Sequence, residues 1–122
     1  FVLFKPPVGL NTGKVYSQFD TSAVECPHHA WQLVQALTNG NIEEIGSLLF
    51  NSLEKPAFEL MPKLEEYKRA MQLPGVVSVL MTGSGSCLFA LCQNAQAAKS
   101  VASTLRKRFP EYFVLATASK VQ

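Results

Sequence analysis

The chain has 122 residues, of which 48% are hydrophobic and 16% are charged. This length fits one domain with a single core, and no window holds the roughly 18 consecutive apolar residues that a membrane-spanning helix needs. The net charge of +2, from 11 basic and 9 acidic residues spread along the chain, is too small to indicate a nucleic-acid-binding protein.

The first predicted elements are a strand and a short helix. Residues 1–5 form an apolar run closed by two prolines, which cannot donate to a β-ladder, so this run is predicted to be a strand. Thr12 precedes apolar residues at helical spacing, Val15, Tyr16 and Phe19. Thr12 is therefore the predicted N-cap of the first helix.

Three helices are predicted in the middle of the chain. The first has an apolar face at i, i+3, i+4 and i+7, which predicts burial of Ala30, Leu33, Val34 and Leu37. Asn41 and Glu44 then have the form of a capping box that starts the second helix. Pro56 is expected in the first turn of a third helix, whose apolar positions are Leu60, Leu64, Tyr67 and Met71. Pro62 either kinks that helix or moves its start.

The last third of the chain alternates strands with one helix. Residues 76–81 and 87–92 are apolar runs that flank a glycine-rich loop, and residues 112–117 predict a final strand. Asn94 is the predicted cap of a helix that buries Ala98, Val101, Ala102 and Leu105. The basic run 106–108 ends that helix. Its positive charges are interpreted as complementing the helix dipole in a solvated last turn rather than as forming an anion site.

The order of these elements predicts the fold class. One strand, several helices, two strands, one helix and one strand are typical of an α+β sandwich of the ferredoxin-like type. We expect four strands in one largely antiparallel sheet, with the helices on one face. No repeat or second domain boundary is visible.

Residues that commonly bind metals give no pattern for a metal site. Cys26, Cys87 and Cys92 are odd in number and lack zinc-site spacing, so free thiols in a reducing compartment are expected. His28 and His29 are adjacent and cannot easily face one metal, and we expect them in a loop or at a helix start. The sequence therefore predicts no metal ligand.

The glycine-rich loop is the clearest functional signal. Gly83 and Gly85 permit positive φ, which lets backbone N–H groups converge on an anion, while Ser84 and Ser86 add hydroxyl donors. The loop lacks the Gly-Lys-Ser/Thr ending of a Walker loop and the complete Gly-x-Gly-x-x-Gly of a dinucleotide fingerprint. By itself it is either a phosphate-facing loop or a plain connection between strands.

Residues 81–89, which read MTGSGSCLF, resemble the third signature of the GHMP kinases, the family that includes galactokinase, homoserine kinase and mevalonate kinase. In that signature a hydrophobic residue and Ser/Thr precede Gly-Ser/Thr-Gly-Ser/Ala and a hydrophobic strand. The resemblance implies that the loop belongs to a C-terminal domain and faces the cleft of phosphoryl transfer. It assigns a phosphate-facing role to Gly83, Ser84, Gly85 and Ser86.

Two further segments are similar to a branch of this family that phosphorylates a cytidyl substrate in non-mevalonate isoprenoid synthesis. Their matching residues are Pro6, Pro7, Val8, Gly9, Thr12, Val15 and Tyr16 in one segment and Asn51, Leu53, Glu54 and Pro56 in the other. The resemblance implies that Tyr16 stacks on the cytosine with Thr12 nearby, whereas the residues alone favour an ordinary core or surface ring. Departures from the branch pattern occur at Asn11, Gly13 and Ser52.

Asn51 and Glu54 are expected to organise the start of the helix at Pro56 rather than to contact a ligand. This expectation rests on their place in the sequence, directly before that helix. Any role of Ser52 beyond a turn or a cap is left open, because the branch has aspartate at this position.

The resemblance implies an intact, cytoplasmic kinase that uses ATP and Mg²⁺. We expect residues 1–122 to be its C-terminal domain, and the N-terminal ATP-binding domain to be absent from the chain, since the lysine, ATP loop and aspartate of that domain have no match here. No residue is therefore assigned a catalytic role, and the chain alone is expected to be inactive. Two alternatives remain: a family kinase that acts on homoserine, mevalonate or a sugar, and a non-catalytic ferredoxin-like module that binds a small ligand.

Overall fold

The computed structural model describes residues 1–21 and 29–118, so Cys26 and His28 lie outside it. Its strands are β1 (Val2–Lys5), β2 (Val76–Met81), β3 (Leu88–Cys92) and β4 (Phe113–Ala116). Its helices are α1 (Thr12–Thr21), α2 (Ala30–Asn39), α3 (Ile42–Leu48), α4 (Glu54–Leu60), α5 (Lys63–Ala70) and α6 (Ala95–Arg108). No helix in this part of the chain is long and apolar enough to cross a membrane.

The four strands form one sheet in the order β2-β3-β1-β4, and every neighbouring pair is antiparallel. Strands β1 and β2 consequently run in the same direction with β3 between them. This is the strand order of a ferredoxin-like sandwich, and the predicted α+β class is confirmed. The prediction that the four apolar runs share one sheet is also confirmed, with the strand ends differing by at most one residue.

One face of the sheet carries the core. Alternate residues on the four strands, with residues of α5 and α6, are buried in one cluster whose members include Val2, Phe4, Leu64, Tyr67, Val79, Met81, Leu88, Val101, Leu105 and Val114. The ring of Phe4 lies 5.2 Å from that of Phe109 and 5.5 Å from that of Tyr112, measured between centroids. The hydroxyls of Tyr67 and Tyr112 are 2.7 Å apart. Burial, together with this hydrogen bond, raises the pKa of Tyr67 to about 12.

The helix caps follow the local sequence, with one exception. Asn41 accepts a hydrogen bond from the Glu44 N–H at 3.1 Å, and Asn94 accepts one from the Ala97 N–H at 2.8 Å, as predicted. The predicted Thr12 cap is wrong. Asn11 caps α1 instead, because its side-chain oxygen reaches the N–H of Lys14 at 3.0 Å, and Thr12 is already the first helical residue.

The predicted buried face of α2 is also wrong. Val34 is 50% exposed and Leu37 is 58% exposed, whereas Ala36 is the buried residue of this helix. Helix α2 packs against α3 rather than on the sheet. Periodicity identified an apolar stripe correctly, but the packing of α2 leaves that stripe in solvent.

Proline divides the third predicted helix. Pro62 lies between α4 and α5, because it has no N–H to continue the helical ladder. Pro56 lies in the first turn of α4, as expected. Leu64, Tyr67 and Met71 are buried as predicted. Leu60 is 41% exposed; it is the last residue of α4 and does not share one helical face with the residues after Pro62.

Gly46 allows α3 to approach β2 closely. A Cβ atom at this position would lie 2.5 Å from Val77 Cγ1 and 3.3 Å from Ser78 Cβ. We expect Gly46→Ala to lower the free energy of unfolding by about 1–2 kcal/mol, because overpacking outweighs the gain of about 1 kcal/mol in helix propensity. Urea unfolding measures this change, with Gly9→Ala as the control because no atom lies within 4 Å of its Cβ position. Unchanged or increased stability of Gly46→Ala would contradict the close contact.

Candidate functional site

The first turn of α1 meets the loop between β2 and β3. The Thr12 hydroxyl lies 3.2 Å from the Ser84 hydroxyl, and either group can donate. Tyr16 follows Thr12 by four residues on the same face of α1, about 6 Å further along the helix axis. Its ring is 53% exposed. The structure therefore brings the predicted substrate-binding residues, Thr12 and Tyr16, to the same surface as the predicted phosphate-facing loop.

Residues 82–87, here called the glycine loop, form a tight turn. The Thr82 N–H donates to the Cys87 carbonyl at 2.9 Å, and the Gly85 N–H donates to the Thr82 carbonyl at 3.0 Å. Gly83 has φ +50° and Gly85 has φ +92°, in the left-handed region that favours glycine. The conformation of the turn therefore favours glycine at both positions.

The two serines of the glycine loop have different environments. Ser86 is only 6% exposed, and its hydroxyl donates to the Val8 carbonyl at 2.5 Å. This bond fastens the loop to the segment before α1 and engages the Ser86 hydroxyl within the protein. Ser84 is half-buried, and its hydroxyl contacts Thr12. Of the two hydroxyls, that of Ser84 is the one that lies beside α1.

The outer side of the glycine loop is open and its inner side is packed. No atom lies within 4 Å of a Cβ built on Gly83, whereas a Cβ on Gly85 would lie 2.9 Å from both Leu10 Cδ1 and Met81 Sδ. Within residues 1–21 and 29–118, the N–H groups of Gly83 and Ser84 have no hydrogen-bond acceptor. These donors lie near the N-terminus of α1, whose first turn has no acidic residue. Neutral donors and a helix N-terminus suit phosphate oxygens.

Asn51 holds the glycine loop from the side of α4, and Glu54 holds the end of β2 that precedes the loop. The Asn51 side-chain NH₂ donates to the carbonyls of Met81 at 2.8 Å and Gly83 at 2.7 Å, and its oxygen accepts from the Leu53 N–H at 3.0 Å. Glu54 accepts from the Met81 N–H at 3.0 Å and forms an ion pair with Lys68. The bond from the Leu53 N–H to Asn51 agrees with the role expected at the start of α4. The bonds of Asn51 and Glu54 to Met81 and Gly83 were not predicted from the sequence.

An open groove of about 790 Å³ adjoins this network. Its walls include Asn51, Glu54 and Lys68, together with the rings of Phe50 and Phe58. The Lys68 ammonium lies 5.9 Å from the centre of the Phe58 ring. The cations and carboxylates on these walls include the pair Glu54–Lys68 and the pair Glu65–Arg69.

The remaining candidate ligands for metals have structural surroundings. The His29 ring nitrogen lies 2.7 Å from the Leu48 carbonyl, directly before α2, which confirms its expected place at a helix start. Cys87 and Cys92 are free thiols, and burial raises the pKa of Cys92. Within the described ranges, no three His, Cys, Asp or Glu side chains are grouped as a metal site.

Comparisons with known proteins identify relatives of this chain. The 4-diphosphocytidyl-2-C-methyl-D-erythritol kinase of Carboxydothermus hydrogenoformans is 36% identical over 83% of this chain and 35% of its own length. The protein of the same name from Pelotomaculum thermopropionicum is 31% identical over 95% of this chain and 40% of its own length. A crystal structure of 4-(cytidine 5'-diphospho)-2C-methyl-D-erythritol kinase superposes with a TM-score of 0.70 at 32% identity, over 93% of this chain and 40% of that one.

The chain thus spans 35% to 40% of the length of these relatives. Residues 33–111 match the sequence profile of the family described as GHMP kinases C terminal. This match includes the glycine loop, β3 and all of α6. The chain therefore belongs to the GHMP kinases, as a C-terminal domain of that family.

Proposed function

We propose that this chain is the substrate-facing part of an ATP-dependent kinase that phosphorylates the 2-hydroxyl of 4-diphosphocytidyl-2-C-methyl-D-erythritol, a step of non-mevalonate isoprenoid synthesis. The observation that carries the proposal is the contact between Thr12 and Ser84, which joins the helix of Tyr16 to the glycine loop. The names of the relatives support the same substrate.

The surface offers two kinds of recognition at a short distance from each other. The exposed ring of Tyr16 supplies a flat apolar face on which cytosine can stack. The N–H groups of Gly83 and Ser84 supply donors for phosphate oxygens, about one helical turn away. A kinase that holds a cytidyl substrate beside the phosphates of ATP matches this pair of features.

The described residues offer a place for the phosphates of ATP but no set of ligands for Mg²⁺. The neutral donors of the glycine loop and the N-terminus of α1 fit the phosphates of ATP, and when bound ATP would supply the transferred phosphoryl group. Mg²⁺ takes oxygen ligands, chiefly carboxylates, phosphates and water, and in the described parts of the chain no three His, Cys, Asp or Glu side chains are grouped so that they could hold a metal ion. We therefore assign no metal ligand to these residues.

Tyr16→Ala tests the proposed substrate in the full-length protein that carries these residues. We expect the KM for the cytidyl substrate to rise about tenfold to hundredfold, because stacking on one ring contributes about 1–3 kcal/mol per base. The KM for ATP should change less than about twofold, since the ring serves the acceptor substrate. Steady-state kinetics with a coupled assay for ADP measure both constants.

Two variants serve as controls for Tyr16→Ala. Tyr16→Phe keeps the ring and should retain the KM of the unmodified protein. Phe113→Ala removes a ring that is 55% exposed, close to the 53% of Tyr16, but lies on β4 at the far edge of the sheet from β2. An unchanged KM for the cytidyl substrate in Tyr16→Ala would exclude Tyr16 from the site. Faster turnover of homoserine, mevalonate or a sugar by the unmodified protein would favour a different acceptor.

A further inference from the structure

We propose that Asn51 is a positioning residue, which orients the N–H groups of Thr82 and Ser84 in the glycine loop, while Glu54 and Lys68 hold the adjacent end of β2. This inference rests on the proposed function for its consequence in catalysis, because it concerns the same loop. It assigns a role to side chains that contact the loop from outside it and that need not touch the substrate.

The Asn51 amide donates to two carbonyls that flank Thr82. One belongs to Met81, the last residue of β2, and the other to Gly83, the first residue of the turn proper. A trans peptide group is planar, and its C=O and N–H point in opposite directions. The bond to the Gly83 carbonyl therefore directs the Ser84 N–H away from Asn51.

The neighbouring peptide group shows the same relation. The Met81 carbonyl faces Asn51, and the Thr82 N–H of that peptide group points the other way, to the Cys87 carbonyl at 2.9 Å. The Ser84 N–H has no acceptor in the described parts of the chain. Asn51 thus fixes the direction of two N–H groups. That of Thr82 donates within the turn, and that of Ser84 remains available to a ligand.

Asn51 is itself locked in one orientation. Its side-chain oxygen accepts from the Leu53 N–H at 3.0 Å, so its NH₂ group must face the two carbonyls. Glu54 supports the same point of the chain by accepting from the Met81 N–H, and Lys68 pairs with Glu54. The Glu54 side chain is only 14% exposed, which shields this pair from solvent.

Part of this network has a purely structural explanation. Strand β2 is at the edge of the sheet, so its outward N–H and C=O groups lack a neighbouring strand. Asn51 and Glu54 supply hydrogen-bond partners for the outward C=O and N–H groups of Met81 on that edge. The bond to Gly83 lies beyond the strand, in the turn, and only this bond acts on the free Ser84 donor. The test must therefore distinguish an effect of Asn51 on the orientation of the loop N–H groups from an effect on the stability of the fold.

Asn51→Asp in the full-length protein is the decisive substitution. It keeps the size and the oxygen that accepts from Leu53, but places a second oxygen against two carbonyl oxygens. Asn94→Asp is the matched control, because Asn94 is described only as an acceptor, from the Ala97 N–H, which aspartate accepts equally well. Asn51→Ser is a neutral companion, since a hydroxyl can accept from Leu53 but cannot bridge both carbonyls.

We expect kcat of Asn51→Asp to fall about tenfold to hundredfold, which corresponds to about 1.4–2.8 kcal/mol in the barrier, with the KM for the cytidyl substrate changed less than about threefold. Asn51→Ser should show a smaller loss of the same kind. Hydrogen exchange of the Thr82 and Gly85 amides, which donate hydrogen bonds within the turn, should accelerate in both variants, while that of α6 stays unchanged. Asn94→Asp should leave kcat and the exchange of the Thr82 and Gly85 amides as they are.

Three results would overturn the inference. One is unchanged kcat together with unchanged loop exchange in both Asn51 variants, and another is a loss of stability with full kcat in the folded fraction. The third is failure of both variants to fold, which would make Asn51 a residue of the fold alone. If the unmodified protein does not turn over the cytidyl substrate, the proposed function fails, and loop exchange in the variants still decides whether Asn51 positions the loop.

Discussion

Gly85→Val in the full-length protein is expected to lower kcat by about a hundredfold or more per folded molecule, because a displacement of about 1 Å at a reacting group can cost that factor. Gly85 has φ +92°, a conformation that a β-branched residue avoids. The new Cβ would also lie 2.9 Å from Leu10 Cδ1 and Met81 Sδ. The loop must therefore move, and the donors of Gly83 and Ser84 move with it.

The same contacts predict a cost in stability. Positive φ adds about 1–2 kcal/mol and overpacking about 1–3 kcal/mol to the loss of unfolding free energy. Urea unfolding and kinetics corrected for the folded fraction separate the two effects. Gly9→Val is the control, since no atom lies within 4 Å of its Cβ position and its φ is not in the left-handed region. A folded fraction of Gly85→Val that retains kcat within about threefold would show that the glycine loop is only a strand connection.

Features governed by neighbouring residues were predictable from the sequence. The caps at Asn41 and Asn94 depend on an N–H three residues away, and both are confirmed. Helix α6 buries the predicted residues, because its only apolar stripe faces the sheet. Apolar runs rich in β-branched residues, bounded by turn signals, located the four strands.

Features governed by distant partners were not predictable in this way. The apolar stripe of α2 was visible, but its exposure depends on α2 packing against α3. The helical spacing after Thr12 did not show that Asn11 would cap α1, since both residues are capping types. The bonds from Asn51 to Met81 and Gly83 join segments far apart in the chain, and no local pattern encodes them.

The candidate site was predictable only in part, and mainly through the family resemblance. The motif identified the glycine loop, Thr12 and Tyr16, and the structure places all three on one surface. It did not show that the Ser86 hydroxyl faces the Val8 carbonyl, because that direction depends on the backbone of the turn. The roles of these residues toward phosphate and cytosine stay predictions.

The 122-residue chain by itself is expected to fold but not to transfer phosphate. Folding is expected because its core is continuous and, among the described residues, every buried side-chain nitrogen and oxygen has a hydrogen-bond partner. Inactivity is expected because phosphoryl transfer needs charge placed around the phosphates. The donors at the glycine loop are neutral, and the charged pair Glu54–Lys68 is engaged in holding Met81. The chain also spans only 35% of the length of the kinase from Carboxydothermus hydrogenoformans.

The measurement compares this chain with the full-length protein in one coupled assay for ADP, supplied with ATP, Mg²⁺ and the cytidyl substrate. Circular dichroism and urea unfolding of the chain establish first that it is folded, so that a lack of turnover reports on chemistry. We expect a rate at least about a thousandfold below that of the full-length protein, a barrier difference of about 4 kcal/mol, because the chain spans only 35% to 40% of the length of its relatives and none of its residues is assigned a catalytic role. Turnover within about tenfold of the full-length protein would mean that residues 1–122 carry the catalytic groups themselves.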